Sequence, residues 1–188
     1  MANQDAPFGF RPTRHLTGGE VRTNEYAIAA NFGTSIYTNQ PVVGVTAGGI
    51  QHAIDTSTGT VGLFLGTFGG CFYTDPTTSK PTYSAHYPAS TNASDIVAYV
   101  YDDPYIVYKV QSDGSPAQTN IGNCADVVAG AGSTVTGQSG FELISTMGTG
   151  TATCKIIGLF DAPENAFGAN AVVEVLINEH ILKATAGI

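Results

Sequence analysis

The residues with most chemistry to offer are three carboxylates near one turn, Asp95, Asp102 and Asp103. Paired carboxylates can serve glycoside hydrolysis, one as general acid and the other as nucleophile or base. Yet Asp102-Asp103-Pro104 is ordinary turn chemistry, and Asp is common at strand ends. A calcium loop needs several oxygen ligands at alternating positions, and Asp-Asp-Pro supplies too few. His15, His52, His86 and His180 are scattered, with no His-x-His or His-Glu-x-x-His spacing. Gly137-Gln138-Ser139-Gly140 is only superficially like a Gly-x-Ser-x-Gly nucleophile elbow. The Gly-rich stretch 129–137 is neither Gly-x-Gly-x-x-Gly nor a Gly-Lys-Ser/Thr loop, so it is a poor phosphate cradle. Tyr99, Tyr101, Tyr105 and Tyr108 could form a face on which sugars or bases stack, although cross-strand packing in a core or interface explains them more simply. The Asn92-Ala93-Ser94 sequon matters only in a secreted eukaryotic protein. The expectation is no enzyme, no cofactor and no metal.

The elements around that turn are more legible than any site. Runs of β-branched and aromatic residues flank Asp102-Asp103-Pro104, and such side chains suit a pleated, half-buried surface. Tyr105, Val107 and Lys109 alternate with Ile106, Tyr108 and Val110, a period of 2 with one apolar face. The stretch Asp95–Gln111 is therefore expected to be a central β-hairpin. Shorter strands are expected at Glu25–Ala29, Thr34–Thr38, Pro41–Val45, Ile50–Asp55 and Thr60–Phe68, separated by Gly-containing breaks. A second hairpin, Cys71–Asp75 with Pro81–Tyr87, is closed by Asp75-Pro76-Thr77-Thr78-Ser79-Lys80. Further strands follow at Cys124–Val128, Phe141–Thr146, Thr151–Phe160 and Ala171–Asn178, then a short last stretch at His180–Ala184. No long segment keeps a helical period. The fold class is all-β, a single compact β-barrel or β-sandwich domain with an extended N-terminal arm.

The arm spans residues 1–24 and the β-rich domain residues 25–188. Pro7, Pro12 and Gly18-Gly19 deny the arm regular helix, while Phe8, Phe10 and Leu16 are too apolar for a tail waving in water. The arm is expected to lie on something, a partner or its own domain. Charge separates it too: residues 1–22 hold all three Arg against Asp5 and Glu20, net +1, while the rest holds four Lys against 13 acidic residues, net −9. The total of −8 argues against a nucleic-acid binder. Charged residues are only 12% of the chain against an ordinary fraction of about 25%, which a protein docked permanently in an assembly tolerates. Cys71, Cys124 and Cys154 are odd in number and lack Cys-x-x-Cys spacing, so they read as buried free thiols in a reducing cytoplasm rather than zinc ligands. No cationic-then-apolar leader and no run of about 18 apolar residues is present, so neither secretion nor a membrane partner is expected.

Five stretches carry a family resemblance: 1–12 (MANQDAPFGFRP), 63–75 (LFLGTFGGCFYTD), 94–104 (SDIVAYVYDDP), 110–114 (VQSDG) and 168–178 (GANAVVEVLIN). Together, over nearly the whole chain, they resemble small virion structural proteins of tailed bacteriophages, of the capsid-decoration or cement type. The resemblance implies a protein made in the bacterial host cytoplasm that sits on the outer face of the assembled capsid. There it binds the major capsid protein and braces neighbouring subunits, as a homo-oligomer with a trimer favoured and a dimer possible. Phe8 and Phe10 would then anchor in apolar grooves of the shell, and Arg11 and Arg14 would pair with its carboxylates. Deleting residues 1–14 is expected to weaken that binding and leave the domain folded. The alternatives are a receptor- or glycan-binding virion appendage using its tyrosines, and a polysaccharide-cleaving enzyme dependent on Asp103.

Overall fold

The computed structural model describes residues 3–53 and 63–183. Among them, twelve strands form two antiparallel six-stranded sheets, with two single turns of 3-10 helix. The first sheet runs, edge to edge, β1 (Arg11–His15), β8 (Ile106–Gln111), β12 (Val172–Ile177), β11 (Cys154–Leu159), β9 (Cys124–Val128) and β10 (Glu142–Gly148). The second runs β2 (Asn24–Ala27), β7 (Val97–Tyr101), β5 (Gly66–Thr74), β3 (Pro41–Gly44) and β4 (Ile50–His52), with β6 (Pro81–Ser84) also pairing with β5. The first sheet brings Ser112, just past β8, to Leu143 of β10 at a single parallel bridge, but the strands close no barrel.

Alternation decides which face each strand buries. Val173, Val175 and Ile177 of β12 are buried with Ile106, Tyr108 and Val110 of β8, and Cys154 and Ile156 of β11 complete that wall. The second sheet backs onto its own cluster, with Phe68, Cys71 and Tyr73 of β5 and Ala98 and Val100 of β7. Val43 and Tyr101, from the second sheet, pack against the first cluster and join the two.

The expected hairpin around Asp102-Asp103-Pro104 is not formed. Its two strands exist, but β7 lies between β2 and β5 while β8 lies between β1 and β12. The turn is a crossover between sheets, closed by the Asp103 carbonyl accepting the Ile106 N–H at 3.1 Å. Turn residues fix a change of direction locally; which strand becomes the neighbour depends on distant apolar partners. The hairpin of β5 and β6 does form, its turn held by Asp75 Oδ1 accepting the N–H groups of Thr77 and Thr78. Thr34–Thr38 is no strand: only isolated bridges at Ile36 and Thr38 remain, between Asn31 and Asn39 at positive φ. β5 starts at Gly66, and the earlier part of the expected strand Thr60–Phe68 falls in 54–62, outside the described residues.

The arm lies across its own domain. Asn3 Nδ2 donates to the carbonyls of Ala166 and Ala169, and Gln111 bonds both Gln4 O and the Ala6 N–H. Gly9 then turns at φ 75°, with an added Cβ set to strike the Asn39 carbonyl oxygen, so only glycine fits there. That turn sends Phe10 inward, where it is fully buried in the first sheet's cluster, and leads directly into β1. Residues 1–14 are thus not a removable appendage, since they contribute most of an edge strand and a core side chain. Phe10→Ala is expected to cost about 3–5 kcal/mol through lost burial plus the cavity left behind. Urea unfolding monitored by far-UV circular dichroism checks this, with exposed Leu16→Ala, also in the arm, expected to change little.

Candidate functional site

Of the residues expected to meet a partner, Phe10 faces into the fold, while Phe8, Arg11 and Arg14 remain on its outward surface. β1 pairs with β8 so that Arg11 stands opposite Lys109, which in turn stands opposite Glu174 on β12. All three point away from the core lined by Ile106, Tyr108, Val173 and Val175. The ring of Phe8 is within reach of both cations, 5.3 Å from the Arg11 guanidinium carbon and 6.0 Å from Lys109 Nζ. Lys109 Nζ also sits 4.1 Å over Phe160, so aromatic faces offset the repulsion between cations placed directly opposite. Burial first, and the neighbouring Arg11 charge second, lower the Lys109 ammonium below its ordinary value.

Arg14 reaches across to Glu174, Nη2 to Oε2 at 2.8 Å, with half of its side chain exposed. A half-exposed pair of this kind contributes on the order of 0–1 kcal/mol. Arg11 makes no ion pair among the described residues. Three cations against Glu174 give this patch an excess of positive charge on a chain whose net charge is −8. Arg11 supplies a planar fork of donors and Lys109 a compact ammonium, a pairing suited to carboxylates on a partner. Lys109 and Phe160 were not legible as members of this group. Lys109 looked like one polar position in an alternating strand, and only the register with β1 brings it to Arg11.

The carboxylates at the crossover are engaged in holding the fold. Asp102 is 5% exposed and accepts from Asn24 Nδ2 at 2.9 and 3.0 Å and from Tyr26 Oη at 2.6 Å. Burial, and then the Asp102 hydrogen bond and charge, push the Tyr26 phenol well above its ordinary range. Asp103 Oδ1 accepts the Tyr105 N–H at 2.8 Å and faces His15 Nε2 at 3.2 Å. His15 Nδ1 lies 2.9 Å from the Thr17 hydroxyl and accepts from the N–H groups of Thr17 and Gly19 at 3.3 Å, which assigns the ring proton to Nε2. Burial would raise Asp103, but the Tyr105 N–H, His15 and the Arg22 charge outweigh it and keep the carboxyl below 3.8. A cleft of about 270 Å³ opens there, lined by His15, Gly19, Glu20, Arg22 and Asp103.

A general acid needs a carboxyl held up toward neutral pH. Asp103 is held down, and so is Asp95, by the Thr74 hydroxyl and N–H. Several of the remaining candidates are engaged as well. Ser139 Oγ accepts the Phe141 N–H, His86 stacks on Tyr37 at 5.7 Å, and His52 lies 6.0 Å from Phe32. Cys71, Cys124 and Cys154 are free thiols; burial pushes Cys71 up to about 12 and Cys154 higher still. No group of three or more His, Cys, Asp or Glu among the described residues could hold a metal. No helix among the described residues is long and apolar enough to cross a membrane. The four tyrosines do not share a face. Tyr108 is buried with its Oη donating to the Tyr101 carbonyl at 2.9 Å, Tyr105 is exposed under Lys183, Tyr101 packs against the first sheet's cluster, and Tyr99 lies on the outward face of β7.

No family model, no curated protein and no solved structure matches the chain.

Two outcomes follow from these groups. Tyr26→Phe removes a short hydrogen bond to a buried carboxylate and is expected to destabilise the fold by about 1.5–3 kcal/mol in urea unfolding. The second concerns His180, which is buried with Nδ1 accepting the Leu182 N–H at 3.1 Å and Nε2 without a hydrogen-bond partner. Burial, then the Lys183 charge, hold it down to about 4 from 6.5, against the pull of Asp102 and Asp103. Between pH 6.5 and 4 the unfolded chain therefore takes up a proton that the folded chain refuses, and stability falls as pH falls through that window. The loss is at most about 3 kcal/mol by the usual 1.36 kcal/mol per unit. Unfolding midpoints of wild type and His180→Gln across this range check it, the variant expected to show the shallower decline.

Proposed function

We propose that the chain is a structural virion protein that binds the outer face of an assembled tailed-phage capsid and braces contacts between neighbouring major capsid subunits. The observation that carries this reading is the outward group of Arg11, Lys109 and Arg14, framed by Phe8 and Phe160 on the first sheet. It is a local excess of positive charge, with aromatic surface beside it, on an acidic protein. Such a patch suits carboxylate-bearing protein better than nucleic acid, because the net charge of −8 repels a polyanion as a whole. The resemblance of the chain to capsid-decoration proteins supports the same partner. Two sheets with separate buried clusters provide a stiff body on which the patch is fixed. A ligand that engages only the assembled shell stabilises it by mass action. In this reading the protein is made in the host cytoplasm, ends on the capsid surface, and acts as a homo-oligomer, with a trimer favoured over a dimer.

The test is co-sedimentation with empty expanded shells, together with the native mass of the protein alone. Wild type is expected to bind at near-lattice stoichiometry. Arg11→Glu with Lys109→Glu is expected to bind about tenfold or more weakly, with the deficit growing at low salt, where charge steering is strongest. Equal binding by this charge-reversed variant sinks the assignment of the patch, and a wild type that ignores shells sinks the function.

A further inference from the structure

The outward face of the second sheet has a different chemistry. Phe72 of β5 stands opposite Tyr83 of β6 on one side and Val97 of β7 on the other. One row along, Gly70 stands opposite Tyr99, which stands opposite Glu25 of β2. Alternation turns these residues outward, since Cys71, Tyr73, Ala98 and Val100 of the same strands fill the core. Tyr83 is 60% exposed and Phe72 39%, large values for side chains on a regular sheet. The Tyr83 ring is held in place: its Oη donates to the Gly69 carbonyl at 3.0 Å, and a Cβ on Gly70, at φ 133°, would overlap that hydroxyl. Tyr99 lies 6.4 Å from Tyr83 with the ring planes inclined by 38°. The result is an outward aromatic strip across three strands, with a ring laid over glycine where another side chain would stand.

We propose that this strip is a stacking platform for an uncharged polysaccharide. Sugar rings offer C–H faces that pack on aromatic faces, and hydroxyls that need acceptors at the margin. Acceptors flank the strip: the Glu25 carboxylate beside Tyr99, and Asp95, bound to Thr74 two positions along β5 from Phe72. Charge selects against acidic glycans and phosphates. From Thr23 to Tyr101 the sequence holds a single cation, Lys80, and it lies in the β5–β6 turn. An anionic chain would meet Glu25 and Asp95 with only Lys80 of this stretch to offset them. The strip runs across three strands, so it suits several consecutive sugars of a chain rather than one terminal residue. It is also separate from the Arg11, Arg14 and Lys109 patch on the first sheet, so the two can be lost independently.

The experiment is affinity electrophoresis of the full chain through gels containing laminarin, hydroxyethyl cellulose or dextran, with a pull-down on chitin. Tyrosine fluorescence gives a second readout, since the chain has nine Tyr and no Trp. Retardation or capture of wild type by at least one of these is expected, weakened about tenfold or more by either Phe72→Ala or Tyr83→Ala, as for removal of a stacking ring. Phe72→Tyr, which keeps the ring, and Arg11→Glu with Lys109→Glu, which leaves the face intact, are expected to bind as wild type. Phe72 and Tyr83 are exposed, and an unchanged thermal midpoint separates lost binding from lost folding. No interaction of wild type with any of the four polysaccharides overturns the proposal. So does equal binding by the ring-deleted variants. A concentration-dependent mass that Phe72→Ala abolishes would assign the face to a second copy of the chain, and also overturns it.

Discussion

A carboxylate removed from water must be hydrogen-bonded, and Asp102 meets that demand where the chain passes from one sheet to the other. Its donors, Asn24 and Tyr26, come from β2, an edge strand far away in sequence. The crossover and that edge are therefore tied at one point. From there β7 continues the second sheet with β2 and β5, and β8 enters the first between β1 and β12. Asp103, the next residue, performs the matching task for the other sheet by accepting from His15 at the end of β1. Two adjacent carboxylates thus hold the outer strands of two sheets.

The N-terminal segment obeys a second constraint, that of its alternating inward and outward side chains. Gly9 is the pivot, because its positive φ allows Phe8 and Phe10 to point to different environments. Phe10 fills the core of the first sheet, and Phe8 stays outside within reach of Arg11 and Lys109. Once β1 is in register, the chain's rare cations are gathered beside aromatic rings on one face. The second sheet shows the converse, with aromatic rings outward, carboxylates at the margin and almost no cation. The low overall charge of the sequence thus conceals two outward faces of different character.

The all-β class, the strand positions at Cys124–Val128 and within Ala171–Asn178, and the hairpin around Asp75 were readable because each rests on local physics. Period-2 alternation, β-branched residues and an Asp that caps its own turn act over a few residues. The site was less readable. Phe8, Arg11 and Arg14 stood out by type and composition, but Phe10 has the same type as Phe8 and goes to the core. Nothing in the types of the two residues distinguishes them, since the difference follows the positive φ of Gly9, where an added Cβ would strike Asn39 and Ser139.

What the sequence by itself determined is therefore the all-β class and most of the strand segments with an apolar face, because alternation is a property of consecutive residues. It also determined that positive charge would be scarce and concentrated near the start of the chain. Only the tertiary structure decided that Asp102-Asp103-Pro104 joins two sheets rather than closing a hairpin, and that Lys109 completes the patch begun by Arg11. It alone decided that Tyr83, Phe72 and Tyr99 share an outward strip while Tyr108 is buried. Each of these depends on which distant strand supplies the hydrogen-bonding partner. That choice is made by the packing of whole apolar faces and the satisfaction of buried polar groups, which no short stretch of sequence encodes.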